Sequence, residues 1–165
     1  MSRRTVIVII SVVVLPLVGV GCVTSPYNNQ VVHSGYITMS GYGGNPETTI
    51  TFYGWNWESV PQGWDVVGST TTSAYSSGYE DCSPGYYYSG TANITNSDYW
   101  NYEGGGTGYH AKLKAKQGIM NLYSFDSGGL SCMQELLDDD WSCYDAAEEC
   151  MSEDSPDINL YIPSK

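Results

Sequence analysis

The residues of this chain best suited to engaging another molecule are aromatic and lie close together. Thr49, Thr51, Tyr53, Trp55 and Trp57 recur at period two, with Ile50, Phe52, Gly54 and Asn56 between them. In a strand these two sets point to opposite faces. Pro61-Gln62-Gly63 supplies a turn, and residues 64–72 run back. Setting Trp57 opposite Trp64 places Trp55 against Val66, Tyr53 over Gly68 and Thr51 against Thr70. Such cross-strand pairs contribute about 0.2–1 kcal/mol each, and a slip of one would set Glu58 against Trp64. One face would then carry Tyr53, Trp55, Trp57 and Trp64, with neighbours along the strand about 6.6–6.8 Å apart. Consecutive sugar rings could stack on such a row, with Thr, Asn and Gln side chains supplying hydrogen bonds. The loop over residues 96–108 offers a second aromatic group, Tyr99, Trp100 and Tyr102. The competing reading, and the commoner outcome for such a stripe, is core, packed under an opposing sheet or a helical insertion. Exposure of Trp55 and Trp57 separates the two readings.

Catalytic chemistry finds little support. The two histidines, His33 and His110, sit in no metalloprotease helix motif, and there is no nucleophile elbow or dinucleotide fingerprint. Carboxylate neighbours such as Glu80-Asp81 or Asp138 to Asp140 could serve glycoside chemistry, but any acidic chain offers such pairs. Asn96, Asp98, Asn101 and Glu103 could offer oxygens to calcium, yet the twelve-residue loop spacing fails at Trp100. Gly104-Gly105-Gly106 lacks the lysine of a phosphate loop. Cysteine spacing lacks the close pairs of a zinc site. The expectation is a non-catalytic protein without metal or cofactor.

The amino terminus addresses location. Arg3 and Arg4 precede an uncharged aliphatic run from Val6 to Gly21, interrupted by Pro16 and closing on Gly19-Val20-Gly21-Cys22. A basic end, a short apolar run and small residues before a cut describe a secretory signal peptide, here residues 1–21. The run is short for a membrane span, which needs about 20 apolar residues. Its ending resembles the lipobox of bacterial lipoproteins, departing at Gly19, where that family prefers Leu. The resemblance covers residues 1–22 alone. It implies a lipidated Cys22 as mature N-terminus, carrying acyl chains such as palmitate. It also implies a cell envelope location, the outer membrane where there is one, since Val23 is not Asp. The same small residues at Gly19 and Gly21 suit an ordinary signal peptidase. Residues 22–30 then read as a tether, with one domain over 31–165.

Of the six basic residues, Arg3 and Arg4 leave with the signal; four lysines against eighteen acids give the mature chain a net charge of −14. That balance argues against nucleic acid and against docking on anionic headgroups through side chains, leaving the lipid as the membrane contact. With Cys22 lipidated, Cys82, Cys132, Cys143 and Cys150 form an even set, as two disulfides in an oxidising compartment require.

The remaining elements must position these groups. Ser34 to Tyr42 reads as a first strand, and Tyr86 to Thr95 as another, with a bulge at Gly90. Residues 110–116 and 119–125 read as a hairpin with Ala111, Leu113, Ala115, Met120 and Leu122 inward. Lys112, Lys114 and Lys116 then share the outer face, as a solvated surface or edge protection, or to meet the acidic segment that follows. Residues 127–153 have helical spacing. In one straight helix Cys132, Cys143 and Cys150 would be separated by roughly 16 and 10 Å, too far for bridging. A break at Asp138 to Asp140, with Asp capping a second helix, gives a helical hairpin and the pairing Cys132–Cys143 with Cys82–Cys150. Asp157 to Ile162 closes as a strand. The fold expected is all-β, a sandwich of about seven or eight short strands with a disulfide-stapled helical insertion before the last. Such a protein would bind glycan or an envelope protein, or act structurally as an envelope or surface-coat component.

Overall fold

Alternation along the strands builds two packed layers. The computed structural model describes residues 21–76, 85–102 and 108–163. Its elements are β1 (Cys22–Ser25), β2 (Gln30–Val31), β3 (Tyr36–Gly43), β4 (Thr49–Asn56), β5 (Gly63–Thr71), β6 (Tyr86–Asn93), β7 (Asn101–Tyr102), β8 (Tyr109–Gln117), β9 (Met120–Asn121), β10 (Tyr123–Ser124), α1 (Gly129–Asp138), α2 (Cys143–Cys150) and β11 (Ile158–Ile162). One sheet has the order β10-β1-β3-β6; the other has β2-β11-β8-β4-β5, with β7 and β9 also paired to β8. The strands outnumber the seven or eight expected because β2, β7, β9 and β10 are two-residue pieces.

Every second residue of the long strands turns inward. Ile37 and Met39, Ile50 and Phe52, Ala111, Leu113 and Ala115, and Ile158 and Leu160 form one buried cluster with Tyr88 and Ala92. Tyr88 buries its hydroxyl by donating to the Cys22 carbonyl at 3.1 Å, which removes the penalty of an unpaired polar group. The predicted bulge at Gly90 is absent: β3 and β6 pair without interruption from Tyr36–Asn93 to Gly43–Tyr86. Gly90 serves close packing instead, since a Cβ there would lie 2.8 Å from Thr70 Cβ and 2.9 Å from Phe52 Cε2.

The second hairpin is only half as expected. β9 pairs with β8, but β10 pairs in parallel with β1 in the other sheet. The chain changes layers at Leu122, which is buried, whereas Met120 is half exposed rather than inward. Gly118, with φ +60°, makes the turn before that crossing.

Residues 22–30 are not a tether. Val23 is buried against the core and β1 is hydrogen-bonded between β10 and β3. Asn28 donates to Asp126 and Asp154 at 3.2 Å each and accepts from the Asn159 amide at 2.8 Å. The short polar residues that suggested a linker are used in bonds to distant parts of the chain.

The helical insertion covers the outer face of the four-stranded sheet. Phe125, Met133, Leu137, Ala146, Ala147 and Cys150 pack with Cys22, Tyr42 and Tyr123. The break falls at Asp139 to Ser142, and Ser142, not an aspartate, caps α2 by accepting from the Asp145 amide. The disulfide is Cys132–Cys150, with Cα atoms 5.8 Å apart, not Cys132–Cys143 with Cys82–Cys150. A hairpin returns the end of its second helix to the start of its first, which places Cys143 at the far end from Cys132. Cys143 is also disulfide-bonded, while Cys82 and the signal segment 1–20 lie outside the described residues. Among the described residues no helix is long and apolar enough to cross a membrane.

Candidate functional site

The aromatic stripe lies on the outer face of the seven-stranded sheet, not in the core. Ile50 and Phe52 take the inner positions of β4, so the period of two turns Tyr53 and Trp55 outward, and both are half-buried. Across the ladder the register differs from the expected one. Trp55, not Trp57, faces Trp64; Tyr53 faces Val66; Phe52 faces Gly68; and Thr51 faces Ser69. Two local features cause the shift. Asn56 ends the strand early by accepting from the Glu58 and Ser59 amides at 3.0 Å each, which moves Trp57 into the turn. A bulge between Phe52 and Tyr53 then admits Val67 as an extra residue on β5, its side chain buried in the core.

The rings pack edge to face. Trp55 and Trp64 have centroids 5.4 Å apart at 74°, and Trp55 and Trp57 are 6.2 Å apart at 76°. Trp57 meets His110 at 5.3 Å and 83°, and His110 continues to Tyr161 at 6.4 Å. Offset edge-to-face contacts of this kind are the favoured arrangement for aromatic pairs. They do not make the flat row of parallel rings expected for stacking successive sugars.

Lysines complete the surface. β8 lies beside β4, with Lys116 opposite Thr51 and Lys114 opposite Tyr53. Lys114 Nζ stands 3.8 Å from the centre of the Trp64 ring, and Lys116 Nζ 5.6 Å from that of Tyr53. Burial pushes the Lys114 ammonium down from its ordinary pKa, against the pull of Asp157. Burial pushes the Asp157 carboxyl up, and the charges of Lys114 and Lys112 oppose it. Among the described residues the three lysines make no ion pair or hydrogen bond. Edge protection is not their role, since β8 is interior to its sheet. Nor do they meet the acidic helices, which lie on the opposite side of the sandwich. The Trp57 indole N–H is buried without a hydrogen-bond partner among the described residues.

Trp100 stands apart from these four. Its indole donates to the Ile94 carbonyl at 2.6 Å, and its ring packs on the end of the core. It borders a recess of about 390 Å³ with Gly35, Thr95, Ser97, Tyr109 and Ile162. Tyr99 sets its hydroxyl 3.5 Å from Asp65, and Tyr102 pairs with Tyr109, centroids 5.3 Å apart. The second aromatic group is therefore dispersed. Asn96 caps the 3₁₀ turn Ser97–Tyr99 by accepting from the Asp98 amide. Glu103, Glu80 and Asp81 lie outside the described residues.

Sequence reasoning missed His110 and Tyr161 as neighbours of the stripe; the pairing of β8 with β11 brings them there. Cys22 has a clear environment: its thiol is buried beneath the helices, and desolvation pushes its pKa up to about 12. No protein-family model, curated protein or solved structure matches this chain.

Proposed function

We propose that this chain is an exported, non-catalytic binding module of the bacterial cell envelope that works through the outer face of its seven-stranded sheet. One observation carries the reading: Tyr53, Trp55, Trp57 and Trp64 share that face with three lysines that make no ion pair among the described residues, and no described element packs over it. A surface combining aromatic area with cations suits recognition, because rings lose little conformational freedom on binding. The edge-to-face packing favours a protein surface, or a glycan held at its rim, over sugars stacked in a row. Export is supported by the signal-like segment before Cys22 and by the disulfide-bonded cysteines.

Lipid anchoring at Cys22 belongs to the same reading and carries a structural cost. Acylation would turn the first residue of β1 out from among Phe125, Met133 and Leu137, while Val23 keeps its pairing with Gly41. The binding test is co-sedimentation of residues 22–165 with isolated cell envelopes. Loss of retention in Trp55→Ala, with folding intact, supports the surface; unchanged retention rejects it. The anchoring test is Cys22→Ala in the full precursor: release from membranes supports the lipid, and retention as a mature-sized chain rejects it.

A further inference from the structure

The two faces of the sandwich are chemically complementary. The face described above holds Lys112, Lys114 and Lys116 along one strand, spanning about 13 Å at 3.3 Å per residue, among half-buried tryptophans. The helical hairpin on the opposite side, with the three residues that follow it, holds eight acids from Glu135 to Glu153 and no base. The hairpin is more than a solvated acidic surface: Trp141 is 45% and Tyr144 55% exposed there. Within one molecule the hairpin and the lysines cannot meet, because both sheets lie between them.

We propose that the partner of the lysine–aromatic face is a second copy of this chain, docked through its acidic hairpin. The proposal rests on that face being a binding surface and names its occupant. Lysine ammoniums would find the carboxylates of α1 and α2, and Trp141 and Tyr144 would find aromatic and apolar area around Trp64 and Val66, the latter 63% exposed. Rim charge pairs give modest energy but fix register and exclude wrong partners. The interface is heterologous: each copy uses one face as donor and the other as acceptor. Contacts of that kind extend head to tail into an open series unless the rotation closes a ring.

The test is sedimentation of residues 22–165 from about 10 μM to 1 mM, a range that resolves weak association. Two variants are compared. One is Lys112→Gln/Lys114→Gln/Lys116→Gln. The other is Asp138→Asn/Asp139→Asn/Asp140→Asn/Glu148→Gln/Glu149→Gln, which spares Asp145 because that residue bonds Ser142. Wild type should grow past the dimer with concentration, and each variant alone should associate about tenfold or more weakly. An equimolar mixture of the two should stop at a heterodimer, since only one complementary pair of faces remains. Lys→Arg at the same three positions should restore growth. The acid-neutralised variant is informative because general repulsion alone predicts the opposite: lowering net negative charge would promote association. A monomeric wild type, a series that stops at a symmetric dimer, variants that associate like wild type, or a mixture that stays monomeric would each overturn the proposal. If wild type is monomeric yet Trp55→Ala still loses envelope retention, only the identity of the partner falls. If both effects are absent, the surface reading falls with it.

Discussion

Lys114 reaches across β4 to place its ammonium 3.8 Å from the centre of the Trp64 ring on β5. The contact joins the chain's one cluster of lysines to its densest cluster of indoles, on a sheet face that no described element covers. A cation over an indole is worth about 0.5–1 kcal/mol at exposed sites and more when desolvated. A double-mutant cycle of Lys114→Gln and Trp64→Leu, read by denaturant unfolding, should return a coupling of about 0.5–1 kcal/mol. Additive effects would mean that the two side chains do not interact in solution.

The two faces of β4 should respond differently to truncation. Phe52 is fully buried beside Tyr88, so Phe52→Ala should cost about 3–5 kcal/mol. Trp55 is half-buried on the outer face and loses edge-to-face contacts with Trp57 and Trp64. Trp55→Ala should therefore cost roughly 1–2 kcal/mol. Thermal melts rank the two; equal losses would return the stripe to the core.

How much of this was legible follows from where local pattern is enough. Period-two alternation separated Ile50 and Phe52 from Tyr53 and Trp55 without telling which set faces inward, and it put three lysines outside and Ala111, Leu113 and Ala115 inside. Register was not legible, because it depended on the Asn56 turn and the Val67 bulge, neither of which has a pattern signature. β1 looked like a linker because two of its neighbours come from strands far along the chain, Tyr42 from β3 and Tyr123 from β10. The cysteine pairing failed for a related reason: spacing along one helix says nothing about which ends a hairpin brings together.

The disulfide between Cys132 and Cys150 closes a loop with a sequence separation of 18 residues. Chain-entropy reasoning assigns such a loop about 3 kcal/mol. Peptide mapping of unreduced protein should recover Cys132 joined to Cys150, and Cys150→Ser should lower stability by about that amount. Recovery of Cys132 joined to Cys143 would contradict the hairpin geometry.

Stability at alkaline pH should report the Cys22 environment in unacylated protein. Burial pushes this thiol from 9.0 up to about 12, and the nearby Tyr88 hydroxyl is also pushed up by burial. A group whose folded pKa is raised lends stability that is whole below its unfolded pKa and lost as pH rises through the folded one. Unfolding free energy should therefore fall between about pH 9 and pH 12, on the order of 4 kcal/mol from the thiol alone. Cys22→Ser should flatten that slope, whatever it does to stability at neutral pH. An unchanged slope would mean that the thiol is solvated.

The working surface itself is tested most directly by covalent footprinting of dilute residues 22–165, free and bound to isolated envelopes. Amine labelling of Lys112, Lys114 and Lys116 and oxidation of Trp55, Trp57 and Trp64 are read by mass spectrometry. Binding through the outer face of the seven-stranded sheet predicts that all six sites lose reactivity together, while Trp141 and Tyr144 on the hairpin keep theirs when the envelope component is not a second copy. Bound protein whose three lysines and three tryptophans label as fast as in the free chain would contradict it.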